Sequence, residues 1–362
     1  MPNIKHIRVC QVLHGIVGGG SEQVVLNYCS RMRDIHFDLL YQYEPNPLIL
    51  ERFNEAGINC IQIPDKVHHP LKHLWKMFNI FRKGRYDVIH SHLDWYLNSC
   101  VCFLAMLAGV KKRIAHHHQA YSKWSFLCAI LRIPCKLFAT HWLACGETAA
   151  IDGWGKRAVK NGRVMILPNA IDPERFKFSE SARQEIRAKY GIAKDDFVIG
   201  HVGRFFPEKN HRFIIELFGQ YSQNYEKCRL LLVGAGPLLA EIQQMSEQKN
   251  LKEKIVFAGL QKNIVDFYCA MDILLLPSIR EAFPMTLIEA QYNGLPCIVS
   301  NAVPTEVAIT DNMNSLPIDD IGPWCKQIRF SGVKQNRSML QVNTNKFDIR
   351  ICYKTLESIY QD

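Results

Sequence analysis

Short apolar runs alternate with helical patterns along almost the whole chain, and that rhythm leaves few folds open. Ile7–Leu13, Phe37–Tyr41, Asn59–Ile63, Asp87–His92, Arg113–His116 and Leu143–Cys145 read as strands. Ser21–Arg33, Pro47–Ala56, Leu71–Arg82 and Asn98–Ala108 read as the helices between them. Strands that alternate with helices predict an α/β fold with a parallel, doubly wound sheet. Val164–Asp172 reads as a strand that breaks into a domain junction, and the alternation then restarts. Phe197–Val202, Leu230–Val233, Ile255–Phe257, Ile273–Leu276 and Ile298–Val299 are the strands of a second sheet. A length of 362 residues suits two domains, 1–170 and 171–345, with a terminal helix in 346–362.

Composition narrows the partners. The net charge of +10, from 44 basic and 34 acidic residues, favours an anionic partner: a nucleic acid, an anionic membrane surface or a phosphorylated substrate. No basic stripe interleaved with aromatics and no zinc motif supports a nucleic acid. The 13 cysteines are scattered, none in a CxxC pair, and read as reduced thiols. The N-terminus runs directly into a strand without a signal peptide's apolar core, and the apolar run from Cys100 to Val110 is too short to span a bilayer. A cytoplasmic protein is expected, with peripheral contact at the inner face of the membrane as an option.

One stretch carries most of the functional information. Asp272–Ser278 reads as a buried strand entering a loop, and Glu281-Ala-Phe-Pro-Met-Thr-Leu-Ile-Glu289 follows it into a helix. Two carboxylates thus straddle a strand-loop-helix junction. Free backbone N–H groups and the positive end of a helix lie beside two strong acceptors. A phosphate can bind the amides while sugar hydroxyls donate to the carboxylates, which is what a nucleotide-sugar needs.

The same stretch resembles the E-x7-E signature of retaining glycosyltransferases of family 4, whose GT-B fold has two Rossmann-like, doubly wound parallel-sheet domains facing an interdomain cleft. Gly19-Gly20-Ser21-Glu22 looks like that family's first glycine loop. Gly203-Arg204 through Lys209-Asn210-His211 looks like its basic diphosphate clamp, and Val233-Gly234-Ala-Gly236 and Gly259-Leu260 look like its nucleotide loops. Together these span residues 7 to about 307, in the family's order. The overall pattern looks most like bacterial capsule or exopolysaccharide transferases.

The resemblance implies roles. Glu281 and a histidine after the Arg113 strand, His118 or else His116, would face the donor sugar at the reaction centre. Gly19, Gly20, Arg204, Lys209, Gly234, Leu260, Phe283, Met285, Thr286 and Glu289 would hold the donor nucleotide, with Glu289 on the ribose diol. No Asp-x-Asp motif is present, so no metal cofactor is expected: Arg204 and Lys209 would stabilise the leaving diphosphate instead. Where the family usually has glycine after the first Glu, this chain has Ala282, and Pro284 lacks an N–H. The run His116-His117-His118 cannot direct three successive side chains at one ion, and no acidic or Cys cluster partners it. His92 either lines the acceptor side or caps its strand.

The expected partners are a nucleotide-sugar, UDP-linked, and a glycan or polyprenyl-linked glycan as acceptor. Leu71–Lys83 and Trp124–Phe138 combine apolar with basic residues and could hold an anionic membrane surface. Two alternatives stay open: a GT-B sugar-nucleotide epimerase, and a non-catalytic nucleotide-sugar or glycan-binding protein. Gly234-Ala-Gly236 lacks the third glycine of a dinucleotide fingerprint, because position 239 is Leu, which removes a dehydrogenase's best motif.

Overall fold

The computed structural model describes residues 7–118, 133–331, 337, 342 and 345–362, except the side chain of Trp95. Contacts divide the chain into two compact units, Met1–Ile171 with Lys346–Asp362, and Asp172–Asn345.

The first unit is built on β1 (Ile7–Val12), β2 (Ile35–Tyr41), β3 (Asn59–Gln62), β4 (Val88–Ser91), β5 (Lys112–His117), β6 (His141–Ala144) and β7 (Val164–Ile166). They form one sheet in the order β3-β2-β1-β4-β5-β6-β7, with every described pairing parallel. Parallel strands need long crossovers, and the helices Gly20–Cys29, Pro47–Glu55, Pro70–Gly84 and Trp95–Leu107 provide them. Cys10, Val12, Ile89, Met77, Phe81, Val101 and Ala105 meet in one buried cluster of strand and helix side chains. The last helix, Ile349–Gln361, packs on this unit: Tyr360 is 2% exposed and donates and accepts hydrogen bonds on the residues of β1 and β4.

The second unit holds β8 (Phe197–Val202), β9 (Cys228–Val233), β10 (Ile255–Gly259), β11 (Ile273–Leu276), β12 (Cys297–Ser300) and β13 (Met313–Leu316). Their order is β10-β9-β8-β11-β12-β13, again parallel. Ile199, Leu230, Leu232, Ile273 and Leu275 pack against Ile214, Phe218, Ile242, Trp324 and Ile328 of the covering helices. Its opening helix, Glu180–Lys189, is capped by Ser179, whose hydroxyl accepts from the amide of Ala182 at 3.3 Å.

In each sheet the strand order reverses at one place: between β1 and β4, and between β8 and β11. Loops leaving the carboxyl ends of such a strand pair diverge to opposite faces and leave a crevice. Gly19 and Gly20 follow β1, Arg204 and Lys209 follow β8 and Glu281 follows β11, whereas Gly234, Leu260 and His118 follow the neighbouring strands β9, β10 and β5. Elements extend one to three residues beyond several predicted bounds, and β13 has no counterpart in the sequence reading. Its residues, Met-Asn-Ser-Leu, carry no apolar periodicity, and backbone pairing with β12 makes it a strand.

Candidate functional site

In the second unit, β8 and β11 deliver the two loops that carry charge. After β8 the chain turns through Gly203 and Arg204 into a short 3-10 turn, Pro207–Lys209, and then into the helix His211–Asn224. After β11 it passes Ser278 and Glu281 into the helix Met285–Tyr292. The ammonium of Lys209 ion-pairs with Glu281, whose Oε1 also accepts from the Ser278 hydroxyl at 2.8 Å. The amide of Ile279 donates to the carbonyl of Glu208 at 2.8 Å, tying the two loops by their backbones. Ser278 is fully buried, so this side of Glu281 is fixed by the protein. Arg204 is exposed, its guanidinium 4.7 Å from the centre of the Phe206 ring.

Glu289 lies in the helix that follows, 7% exposed, and its Oε2 accepts from the hydroxyl of Tyr268 at 2.6 Å. Burial, with the carboxylate beside it, pushes the Tyr268 hydroxyl well above the ordinary tyrosine range. The phenol therefore stays protonated and remains a donor to Glu289. Phe283 and Met285 are each 7% exposed. The helix starts with Pro284 at its N-cap and no side-chain cap, so its first amides have no capping side chain. Beside them the Thr286 hydroxyl is buried without a hydrogen-bond partner. An acceptor oxygen at this helix start would satisfy both kinds of donor.

The glycine loops meet backbone to backbone. Gly203 donates to Val233 O at 3.0 Å, Phe205 to Ala235 O at 3.0 Å, and Gly234 to Gly259 O at 2.9 Å, which sets Leu260 next to the β9 loop. Gly234 has φ 143°, and a Cβ there would stand 2.0 Å from the carbonyl oxygen of Gly203. Gly234→Ala therefore combines a left-handed backbone with a backbone clash, and a loss of about 3 kcal/mol in the second unit's stability is expected. Thermal unfolding of the variant checks it. Below this loop His201 (fully buried) donates from Nδ1 to Leu275 O at 2.8 Å, and burial pulls its pKa down to about 4.

In the first unit the glycine loop holds a carboxylate of its own. Glu22 Oε2 accepts from the amides of Val17 at 2.8 Å and Gly18 at 2.6 Å. The helix then begins at Gly20 with Gly19 at its N-cap. The Val17 and Gly18 amides are thus taken by Glu22, and Gly19 and Gly20 are the positions of this loop that stand at the helix start.

The histidines form a constellation that the linear reading missed. Alternate residues of a strand share a face, so His90 and His92 lie beside His116 and His118 on the neighbouring strand. His90 Nε2 faces His116 Nδ1 at 3.3 Å, and His92 Nδ1 faces His118 Nε2 at 2.8 Å. His90 and His116 are fully buried and His92 is 7% exposed, whereas His118 keeps part of its surface open. Burial lowers the pKa of all four, that of His118 to about 3 with Asn169 partly offsetting the fall. Ligating nitrogens of His90, His92 and His116 come within 4.8 Å of one another. The partners of the His run are neither acidic nor Cys residues but His90 in β4 and His92 just beyond its end. The signal was present as two H-x-H patterns at the ends of successive strands.

Comparison with known proteins places this architecture. The model described as "Glycosyl transferases group 1" matches residues 182–320, and that described as "Glycosyltransferase Family 4" matches 18–175. The "Putative glycosyltransferase EpsF" of Bacillus subtilis is 33% identical over 316 residues, covering 84% of this chain and 82% of that protein. A UDP-Gal:alpha-D-GlcNAc-diphosphoundecaprenol alpha-1,3-galactosyltransferase of Escherichia coli is 25% identical over 82% of this chain and 79% of its own length. Among solved structures, HepE of Anabaena in complex with UDP and glucose superposes with a TM-score of 0.82 at 16% identity, over 99% of this chain and 100% of that one. The lipopolysaccharide glycosyltransferase WaaG superposes with a TM-score of 0.69 at 17% identity, over 91% and 92% of the two chains. Sequence and fold agree: the chain belongs to the family 4, group 1 glycosyltransferases and has the GT-B fold.

Proposed function

We propose that this glycosyltransferase moves a hexosyl-type sugar from a UDP-linked donor to a hydroxyl of a glycan or lipid-linked glycan in capsule or exopolysaccharide synthesis, with retention at the anomeric carbon and without a metal. The observation that carries the proposal is the join of Lys209, Ser278 and Glu281 at the strand-order reversal of the second sheet, beside Glu289 and the helix start at Met285. The UDP and UDP-glucose complexes of HepE, and the donor and diphosphoundecaprenol acceptor in the Escherichia coli relative's name, support the choice of substrates.

Glu289 accepts from the ribose hydroxyls. The amides of Phe283, Met285 and Thr286, with the Thr286 hydroxyl, bind diphosphate oxygens, and Arg204 and Lys209 neutralise them. Gly234 and Leu260 bring backbone close to the nucleotide, and Gly19 and Gly20 are the glycine-loop positions assigned to its phosphates. Glu281 accepts from donor-sugar hydroxyls, and His118 contacts the sugar near the reacting carbon. The bond from the anomeric carbon to the diphosphate oxygen breaks, and the acceptor oxygen bonds to that carbon on the same face. The acceptor proton passes to the leaving diphosphate. The oxocarbenium-like transition state needs leaving-group stabilisation and dryness more than a protein nucleophile.

The test is transfer from a panel of labelled UDP- and GDP-sugars to a lipid-linked glycan extract in excess chelator. Acceptor-dependent product from a UDP-sugar with the α configuration kept supports the reading. Isomerised donor without acceptor would point to an epimerase, and binding without turnover to a non-catalytic protein.

An anionic membrane surface is the proposed working place. In the helix Pro70–Gly84, Met77 and Phe81 are buried while Leu71 and Trp75 are 80% and 67% exposed, next to Lys72 and Lys76. No helix among the described residues is long and apolar enough to cross a membrane. Most of the second stretch, Trp124–Phe138, lies outside the described residues; its helix Ile133–Phe138 exposes Ile133 and Leu137. Leu71→Glu with Trp75→Glu should abolish co-sedimentation with phosphatidylglycerol vesicles while leaving UDP binding intact. Unchanged sedimentation would remove this helix from the account.

A further inference from the structure

Apart from the residues assigned to the donor, the loops that leave β1, β2, β3 and β4 gather a second set of polar and aromatic side chains within the first unit. His14 follows β1, Gln42 and Tyr43 follow β2, Lys66 follows β3, and Asp94 and Tyr96 follow β4. The His14 imidazole stands at the centre. Its Nδ1 lies 3.4 Å from Gln42 Nε2 and 3.5 Å from Lys66 Nζ, and its Nε2 lies 3.6 Å from Asp94 Oδ2. Hydrogen bonds hold the loops in this arrangement. The backbone N–H of Gln42 donates to the His14 carbonyl at 3.2 Å and that of Asn46 to the Ile16 carbonyl at 2.7 Å, while Gln42 Oε1 accepts from the backbone N–H of Lys66 at 3.3 Å. On the β4 side the fully buried Asn98 side chain accepts from the Leu93 N–H at 3.2 Å and donates to the Leu93 carbonyl at 2.8 Å, which fixes the residue before Asp94.

Two aromatic rings adjoin this polar group and stay open to solvent. Tyr43 and Tyr96 are 40% and 48% exposed. A Cβ on Gly15 would stand 3.3 Å from Tyr43 Cδ2, so the Tyr43 ring lies against the β1 loop one residue beyond His14. Burial, then the Asp94 carboxylate and the Tyr43 hydroxyl, push the Tyr96 hydroxyl above its ordinary range, which puts both groups within electrostatic reach of Tyr96. The polar members are accessible as well: the side chains of His14 and Asp94 keep 34% and 25% of their surface. Asp94 is the N-cap of the helix Trp95–Leu107 but makes no capping bond with its side chain, and its carboxylate faces the His14 ring.

The chemistry of the cluster selects its ligand. A phosphate would gain the Lys66 ammonium but meet the Asp94 carboxylate across the same imidazole, so the two charges offset for an anion. Burial holds the Lys66 ammonium below its ordinary range, and Asp94 and Asp65 counter that fall, so the cation is already balanced by carboxylates. A pyranose ring suits both halves of the cluster. It has an apolar C–H face for a tyrosine ring, and hydroxyls that donate to a carboxylate and accept from an ammonium. The position agrees, since β1 and β4 are the pair at which the strand order of this sheet reverses. We infer that His14, Tyr43, Lys66, Asp94 and Tyr96 form a binding site for a neutral sugar ring, and that this ring belongs to the acceptor. Its assignment to the acceptor rests on the proposed glycosyl transfer.

The test is saturation-transfer difference NMR on the full-length protein with the methyl glycosides of glucose, galactose and N-acetylglucosamine at millimolar concentration. At least one glycoside should take saturation from the protein through its ring C–H protons, and the double variant Tyr43→Ala with Tyr96→Ala should lose that signal. Asp94→Asn keeps the shape of the side chain and should weaken glycoside binding about tenfold, the effect of one charge-assisted hydrogen bond. It decides the matter if thermal unfolding shows that the double variant does not fold as wild type does. UDP affinity should stay unchanged in both variants, and inorganic phosphate should not displace the glycoside. Absence of signal from all three glycosides in wild type would overturn the inference. So would a signal that persists in the folded double variant, unchanged affinity in Asp94→Asn, or displacement by phosphate. UDP titration of the same wild-type preparation keeps the two readings apart: glycoside binding without UDP binding removes the donor assignment, and UDP binding without glycoside binding removes this one.

Discussion

Glu281→Gln should lower sugar transfer by about 10²–10³-fold, the range seen when one preorganised polar group is lost from a reaction centre, while UDP affinity stays within about threefold. The reason lies in what the carboxylate already holds. Glu281 receives the Lys209 ammonium and the Ser278 hydroxyl on the same oxygen, Oε1. This leaves its second oxygen for a donor-sugar hydroxyl. Glutamine keeps the shape but presents one carbonyl oxygen and an NH2 group, so it cannot serve Lys209, Ser278 and the sugar together. The nucleotide does not touch Glu281 in the proposed arrangement, so binding of UDP alone is spared. Steady-state transfer and UDP titration on the same preparation separate the two effects. If UDP affinity fell as far as transfer, Glu281 would be a nucleotide ligand or a structural anchor of the loop.

Glu289→Gln should act the other way, weakening UDP binding by about 10- to 100-fold, the equivalent of losing about 1.5–3 kcal/mol of charge-assisted hydrogen bonding. Tyr268 already donates to one oxygen of Glu289 at 2.6 Å, from a helix packed in the second unit's interior. That bond aims the carboxylate that accepts from the ribose diol in the proposed arrangement. In the glutamine variant the amide oxygen stays on Tyr268 and the NH2 group meets the ribose, where it offers donors instead of an ionised acceptor. Tyr268→Phe is the companion: the carboxylate stays charged but loses its orienting donor, and a smaller loss of affinity is expected. The stabilisation that UDP gives against thermal unfolding follows affinity by mass action, so the ordering wild type, Tyr268→Phe, Glu289→Gln in UDP-induced shift of Tm checks both.

Much of this was legible in sequence because the information was local. β8 and β11 begin and end where the apolar runs Phe197–Val202 and Ile273–Leu276 do, since a strand buried on both faces reads as an uninterrupted apolar run. Lys209, Glu281 and Glu289 stand on loops and a helix whose motifs are contiguous. What was not legible depends on which strands become neighbours. Ser278 and Tyr268 carry no motif, and they matter only because folding sets one hydroxyl against Glu281 and the other against Glu289. The histidine cluster needs β4 beside β5, and the hydrogen bond from Gln11 to Tyr360 needs the C-terminal helix against β1, 349 positions away in the chain. Along one strand three successive histidines diverge, whereas across two neighbouring strands alternate ones converge. β13 was missed for a related reason: its polar residues become a strand through pairing with β12 alone.

The most direct test of the central claim, a donor site that works through cations and amides without a metal, is calorimetric titration of UDP into the purified protein in excess chelator. The account predicts binding in the micromolar range, about −8 kcal/mol, unchanged by the chelator, weaker for GDP and weakened in Glu289→Ala. Binding that appeared only on adding a divalent metal, or that ignored Glu289, would contradict it.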